Sequence, residues 1–267
     1  MYEYEFAVAE RPLIINVDGK NIEDKTRKVI LREDDSSILG VVGSGYQVVT
    51  HPSVIDGVES VFDESGEDWK FSRTVHVSED GGAFMRASYR FPQMKFGVVP
   101  AKGDYVSFGL DIMNSYSGRS AVKMVIKLIR LVCTNGMTVA DRTFNVASRH
   151  LPSFDIEVFK RQIVLAREHL EKRALPLYAA MHDTVVTEER SAAIFDELSG
   201  AHYTKIPAKY GEAAKAELKK ESVLTLWALY NAFTWVISHE FDTAKVERQN
   251  ILLATVDKYF SRQVTGG

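Results

Sequence analysis

The sequence predicts an α+β protein, with an antiparallel β-sheet in its first half, a helix packed on that sheet, and a helical last third. Two patterns carry this expectation. Between residues 38 and 131, short Val/Ile/Leu-rich runs and alternating apolar residues are bounded by glycine-containing turns, the signature of strands. After Pro152 the apolar residues recur at steps of three and four, the signature of amphipathic helices.

Taken in order, residues 38–42 and 46–50 read as two strands joined by Gly43-Ser44-Gly45. Pro52 then opens a helix whose apolar face is Val54, Val58, Val61 and Phe62. Residues 69–77 and 83–91 form a hairpin across Glu79-Asp80-Gly81-Gly82. Residues 105–113 and 121–131 form another, with residues 114–120 as its tip. Strand alternation puts Val106, Phe108, Leu110 and Ile112 on one face and Ser107, Gly109 and Asp111 on the other, predicted to be wet.

In the last third, Phe159, Ile163, Ala166 and Leu170 mark one helix. Thr187 followed by Glu188-Glu189 starts a second, which stops at Gly200. A short polar helix is expected over residues 210–219. A nearly all-apolar one over residues 222–238 should be buried. The last helix carries Val246, Ile251, Leu252, Val256 and Phe260. The β-rich region 1–150 and the helical region 151–267 are expected to form one composite domain.

Composition is that of an ordinary globular chain, 45% hydrophobic and 26% charged. One cysteine, Cys133, cannot form an internal disulfide and fits a reducing compartment. The acidic start of the chain lacks the features of a secretory signal, and no apolar run reaches the roughly 20 residues of a membrane span. The expectation is a cytoplasmic protein with no membrane partner. Net charge is −3, unevenly spread: residues 1–70 hold seven Lys/Arg against fifteen Asp/Glu, and residues 71–150 hold eleven against five. The basic middle points to a polyanion partner, or else cancels against the acidic start.

Familiar catalytic signatures are missing. There is no phosphate-binding Gly-x-x-x-x-Gly-Lys-Ser/Thr loop, no His-Glu-x-x-His, no zinc spacing and no Gly-x-Ser-x-Gly. No catalysis, cofactor or metal is expected. Cys133 beside Leu131-Val132 reads as a buried hydrophobe rather than a nucleophile.

The candidate binding residues are therefore cationic and aromatic. Arg86, Arg90, Lys123 and Lys127 sit at polar strand positions from which they could track phosphates. Tyr116 and Arg119 at the hairpin tip either complete a turn or touch bases and backbone. Asn114, Arg130, Asn135 and Asn231 read as structural: Asn135-Gly136 as a turn closing a strand, Arg130 as an ion-pair or ligand contact, and Asn231 as a hydrogen-bonded amide within the apolar helix.

Asn114-Ser115-x-x-Gly118-x-Ser120-Ala121, Arg130-x-Val132-Cys133-x-Asn135-Gly136 and Arg149-His150 together resemble the central signature of phage/plasmid-like proteins grouped as domain-of-unknown-function family 932. Leu39-Gly40-Val41-Val42-Gly43 with Tyr46 and Val48 is similar to that family's opening strand pair. Tyr230-Asn231-Ala232-Phe233-Thr234 is similar to its late helix. The family often has His-Asp in the hairpin tip where this chain has Tyr116-Ser117, which removes any acid/base or metal role for that pair. The resemblance implies a phage or plasmid setting near DNA processing. A looser fold analogy points to phage single-strand annealing recombinases.

Three functions follow as expectations. The first is a non-enzymatic single-stranded DNA-binding or annealing protein that forms a homo-oligomer. The second is an interaction protein that modulates a host factor, and the third a metal-dependent hydrolase or nuclease built on carboxylates such as Asp104 and Asp111.

Overall fold

Charged but alternating residues open the chain as a long ribbon rather than a tail. The computed structural model describes residues 3–64, 69–99, 104–130, 135–138, 145–150, 155–240 and 246–266. In it β1 (Val8–Val17) and β2 (Lys20–Arg32) form an antiparallel hairpin. Asp18 and Gly19 both have positive φ, 50° and 81°, as a two-residue type I′ turn requires. β3 (Ile38–Gly43) adds to β2, giving the sheet order β1-β2-β3. The partner of β3 is thus β2, not residues 46–50. Those residues are not a strand; the Gln47 amide instead donates to the His150 carbonyl at 2.9 Å.

A second sheet has the order β4-β5-β6-β7-β8, from β4 (Ser72–Val77), β5 (Phe84–Val99), β6 (Asp104–Ser115), β7 (Val122–Arg130) and β8 (Asn135–Thr138). β9 (Asn145–Ser148) also pairs with β7. Residues 122–125 of β7 face β9 and residues 127–130 face β8. Asn135-Gly136 lie within β8, with Asn135 opposite Arg130, so this dipeptide is ladder rather than turn. Cys133 lies outside the described residues, as do the side chains of Arg130 and Asn135.

The helices are α1 (His51–Glu64), α2 (Ile156–His169), α3 (Leu175–Asp183), α4 (Glu188–Leu198), α5 (Gly211–Leu218), α6 (Leu226–His239) and α7 (Val246–Thr265). A π-helical turn, Leu170–Ala174, separates α2 from α3. Thr187 caps α4 as expected, its hydroxyl accepting from the Arg190 amide at 3.2 Å. This is the α+β class the sequence predicts. No helix among the described residues is long and apolar enough to cross a membrane.

The chain divides into two compact units whose borders do not follow the sequence halves. The first holds residues 1–91, 110–125 and 145–164, and the second holds 92–109, 126–144 and 165–267. In the first unit, Val54, Val58 and Phe62 of α1 and the alternating Met85, Ala87, Tyr89 and Phe91 of β5 are all buried, and Phe62 packs on Tyr89 and Phe91. The Phe62 ring meets Trp69, Phe71, Tyr89 and Phe91 at centroid distances of 5.0–5.9 Å. The fully buried Val, Met and Phe side chains among these contribute roughly 1.5–3 kcal/mol each, while Phe71 stays partly exposed. In the second unit α6 is buried nearly all round, as its sequence predicts. Trp227 packs on Tyr178 at 5.1 Å and donates its indole N–H to Asp104 at 2.7 Å.

Candidate functional site

Part of the family-like pattern, residues 39–43, Tyr46, Asn114 to Ser120 and His150, lies in the first unit around the tip of the β6–β7 hairpin, whereas Arg130, Asn135-Gly136 and residues 230–234 fall in the second. Alternation along β6 points Asn114 inward, where its amide donates to the Val49 carbonyl at 2.8 Å and lies 2.9 Å from His51 Nδ1. His51 Nε2 is 3.0 Å from the Gly82 carbonyl. A carbonyl only accepts, so Nε2 carries the proton and Nδ1 accepts from Asn114. His51 is the first residue of α1, and its own backbone N–H donates to the Tyr116 hydroxyl at 2.8 Å. The Thr50 hydroxyl accepts from the Ser53 amide at 3.2 Å, so side-chain oxygens satisfy two of the helix's free amides.

Tyr46 closes the other side of the cluster, its hydroxyl donating to the Ser115 carbonyl at 2.6 Å and its ring stacking on His150 at 4.6 Å. Gly40 is required by close approach. A Cβ there would lie 2.5 Å from the Ser117 Cα, so β3 seats the hairpin tip only without a side chain.

Burial sets the electrostatics of this cluster. It pushes the His51 imidazole down from 6.5 to about 4, and His150 in the same direction. The Tyr116 phenol is pushed up to about 12 and the Tyr46 phenol is raised further, by the same desolvation. At neutral pH all four are uncharged; the polar atoms of Tyr46, His51 and Tyr116 hold backbone groups and Asn114, and the His150 ring stacks on Tyr46. The arrangement pins α1, β3 and the hairpin tip together.

Tyr116 is therefore not a surface base-stacking residue. It is fully buried in a core cluster with Phe6, Ile30, Leu39, Val42 and Ala83. Continued alternation from β6 turns it inward. Arg119, on the same tip, is exposed. Arg86 and Arg90 do share a face of β5, standing opposite His76 and Ser72 of β4. On β4 that face is exposed at Ser72, Thr74 and His76, and on β5 it carries Arg86, Ser88 and Arg90. It lies opposite the side packed on α1.

The wet face does not extend to β6. There Ser107 and Asp111 are 2% and 4% exposed, and Asp111 pairs with Arg86. Lys123 is half-buried on β7 opposite the exposed Ala147. Lys127 is half-buried opposite Thr138, in the second unit. The cations are thus partly gathered, with Arg86 and Arg90 together, while the tip bearing Arg119 packs on β3. Asn231 donates to the Trp227 carbonyl of its own helix at 2.7 Å. Asp104 and Asp111 serve Trp227 and Arg86 respectively, and no group of three or more His, Cys, Asp or Glu side chains among the described residues is placed to hold a metal.

One site escaped the sequence reading. A cavity of about 540 Å³ in the first unit is lined by Glu3, Tyr4, Glu59, Phe71, Arg73, Val75 and Val77. Glu59 accepts from Arg73 and from the Tyr89 hydroxyl, and Arg73 also donates to the Tyr4 hydroxyl at 2.8 Å. Its signal in the sequence is Arg73 itself, an arginine at the inward parity of β4 alongside Val75 and Val77.

Comparison with curated proteins gives no match, and neither does comparison with solved structures. The family model described as Domain of unknown function (DUF932) matches residues 38–256, which takes in the hairpin-tip cluster, α1 and most of the helical third. The chain belongs to the DUF932 family.

Proposed function

We propose that this chain binds single-stranded DNA without catalysis, as a strand-handling protein of a phage or plasmid. The observation that carries the reading is the polar face of β4 and β5, exposed at Ser72, Thr74, His76 and Arg90, with half-buried Arg86 beside them paired to Asp111. Strand geometry spaces Arg86 and Arg90 by roughly 13 Å, so an extended polyanion can meet both. Exposed Arg119 and half-buried Lys123 add cations to the same unit. Tyr116 takes no part, and the affinity rests on phosphate contact rather than stacking.

Anisotropy titrations of the full chain with a labelled single-stranded oligonucleotide at several salt concentrations test this. Each phosphate contact contributes about −0.7 to the slope of log K against log salt. Contacts from Arg86, Arg90, Arg119 and Lys123 give about −2.8, and Arg90→Ala should bring it to about −2.1. Absence of binding at low salt, or a slope that Arg90→Ala and Arg119→Ala leave unchanged, refutes the proposal.

A further inference from the structure

We infer that the β1–β2 ribbon is a self-association arm, pairing edge to edge with the same strand of a second copy of this chain. The arm precedes the span that matches the family, residues 38–256. β3 pairs with β2 only over Arg27–Leu31, so from Leu13 to Asp24 the ribbon is two-stranded among the described residues. A two-stranded ribbon is marginal alone in water. This one also exposes Ile14, Ile15, Val17 and Ile22, at 57%, 47%, 48% and 53%. Exposed edges are usually blunted by charge. Here β1 is the outer strand, and its residues 12–17 carry none.

The register of the pairing follows from the hairpin. In a two-residue turn the flanking residues, Val17 and Lys20, exchange hydrogen bonds, so alternation turns the N–H and C=O of Ile14 and Asn16 outward. Antiparallel pairing about a two-fold axis then sets Ile14 against Asn16 of the second copy, and Asn16 against its Ile14. Pro12, with no N–H, ends the run.

Ile15 meets its own counterpart in this register, and Leu13 meets Val17. Because Ile15 already lies opposite Ile22, one face carries the row Ile22, Ile15, Ile15, Ile22 across four strands. Charge agrees with this: the Arg11 end of one strand comes to the Asp18 end of the other, while Glu10 is already held by Lys28 at 2.6 Å.

Sedimentation velocity over a range of concentrations, with a disulfide test, decides the matter. The wild-type chain should show a concentration-dependent dimer. Ile15→Lys sets like charges opposite each other and should weaken it by about tenfold or more. In a Cys133→Ser background, Ile15→Cys should oxidise to a covalent dimer, since the paired Cα atoms lie about 4.5 Å apart. Ile22→Cys should not, its Cα atoms being roughly 14 Å apart across three strand spacings. Unchanged circular dichroism keeps the variants comparable. A monomer at every concentration overturns the inference, as does equal cross-linking at both positions, or a loss of DNA binding rather than of dimer in Ile15→Lys.

Discussion

Replacing Tyr116 by phenylalanine removes a single oxygen and leaves the ring in its core cluster. That oxygen accepts from the backbone N–H of His51 at 2.8 Å, at the first residue of α1. His51 is completely buried, so no water takes the place of the lost partner. A buried donor left unsatisfied costs about 1–3 kcal/mol. Chains of this size lose about 2–4 °C of melting temperature per kcal/mol, so the midpoint should fall by about 2–12 °C. Thermal melts followed by circular dichroism read the shift, and the oligonucleotide titration is run on the same protein. Stability should fall while DNA affinity holds. An unchanged midpoint together with lost binding would place the phenol at the surface and refute the reasoning.

Two further predictions test the interior. His51 has a folded pKa of about 4 against an ordinary 6.5, so the unfolded chain takes up its proton first as pH falls. Its contribution is intact above pH 6.5 and is lost as pH falls toward 4, to about 3 kcal/mol in all, with His150 acting in the same direction. Urea midpoints across that window should fall less steeply for His51→Gln than for wild type, and parallel curves would reject the assignment. In the second unit, Asp104→Ala orphans the Trp227 indole N–H and should cost about 1–3 kcal/mol, whereas Asp104→Asn keeps an acceptor and should cost less. Tryptophan-monitored urea unfolding distinguishes the two, and equal losses would count against the hydrogen bond.

The helical third was legible because its helices declare themselves locally, by a cap at Thr187 and by the nearly all-apolar run of α6. The β half was harder, because pairing partners are set by tertiary contact. Residues 46–50 have strand composition, yet the chain uses them to carry Tyr46, Val48 and Val49 into the cluster under the hairpin tip. The β1–β2 ribbon announces itself only through Asp18-Gly19, since the charges of its flanks hide the alternation.

At the site, the inward parity of Val106, Phe108, Leu110 and Ile112 continues through Asn114 to Tyr116. Following it two places further marks the tyrosine as interior. Arg86 and Arg90 were found together by the same alternation. What alternation cannot reveal is which polar positions other groups cover: β5 and β6 are both flanked by two strands, yet Arg90 is exposed while Ser107 and Asp111 are buried.

The first amide of α1 is satisfied by a residue 65 positions later in the chain. During synthesis, then, the first amide of this helix lacks its partner until the β6–β7 hairpin has left the ribosome and folded back. Long-range closure of this kind slows folding, its entropic cost rising only with the logarithm of the loop that must first be drawn in. A nascent chain halted before residue 114 lacks both Asn114 and Tyr116, and its α1 begins without either tether.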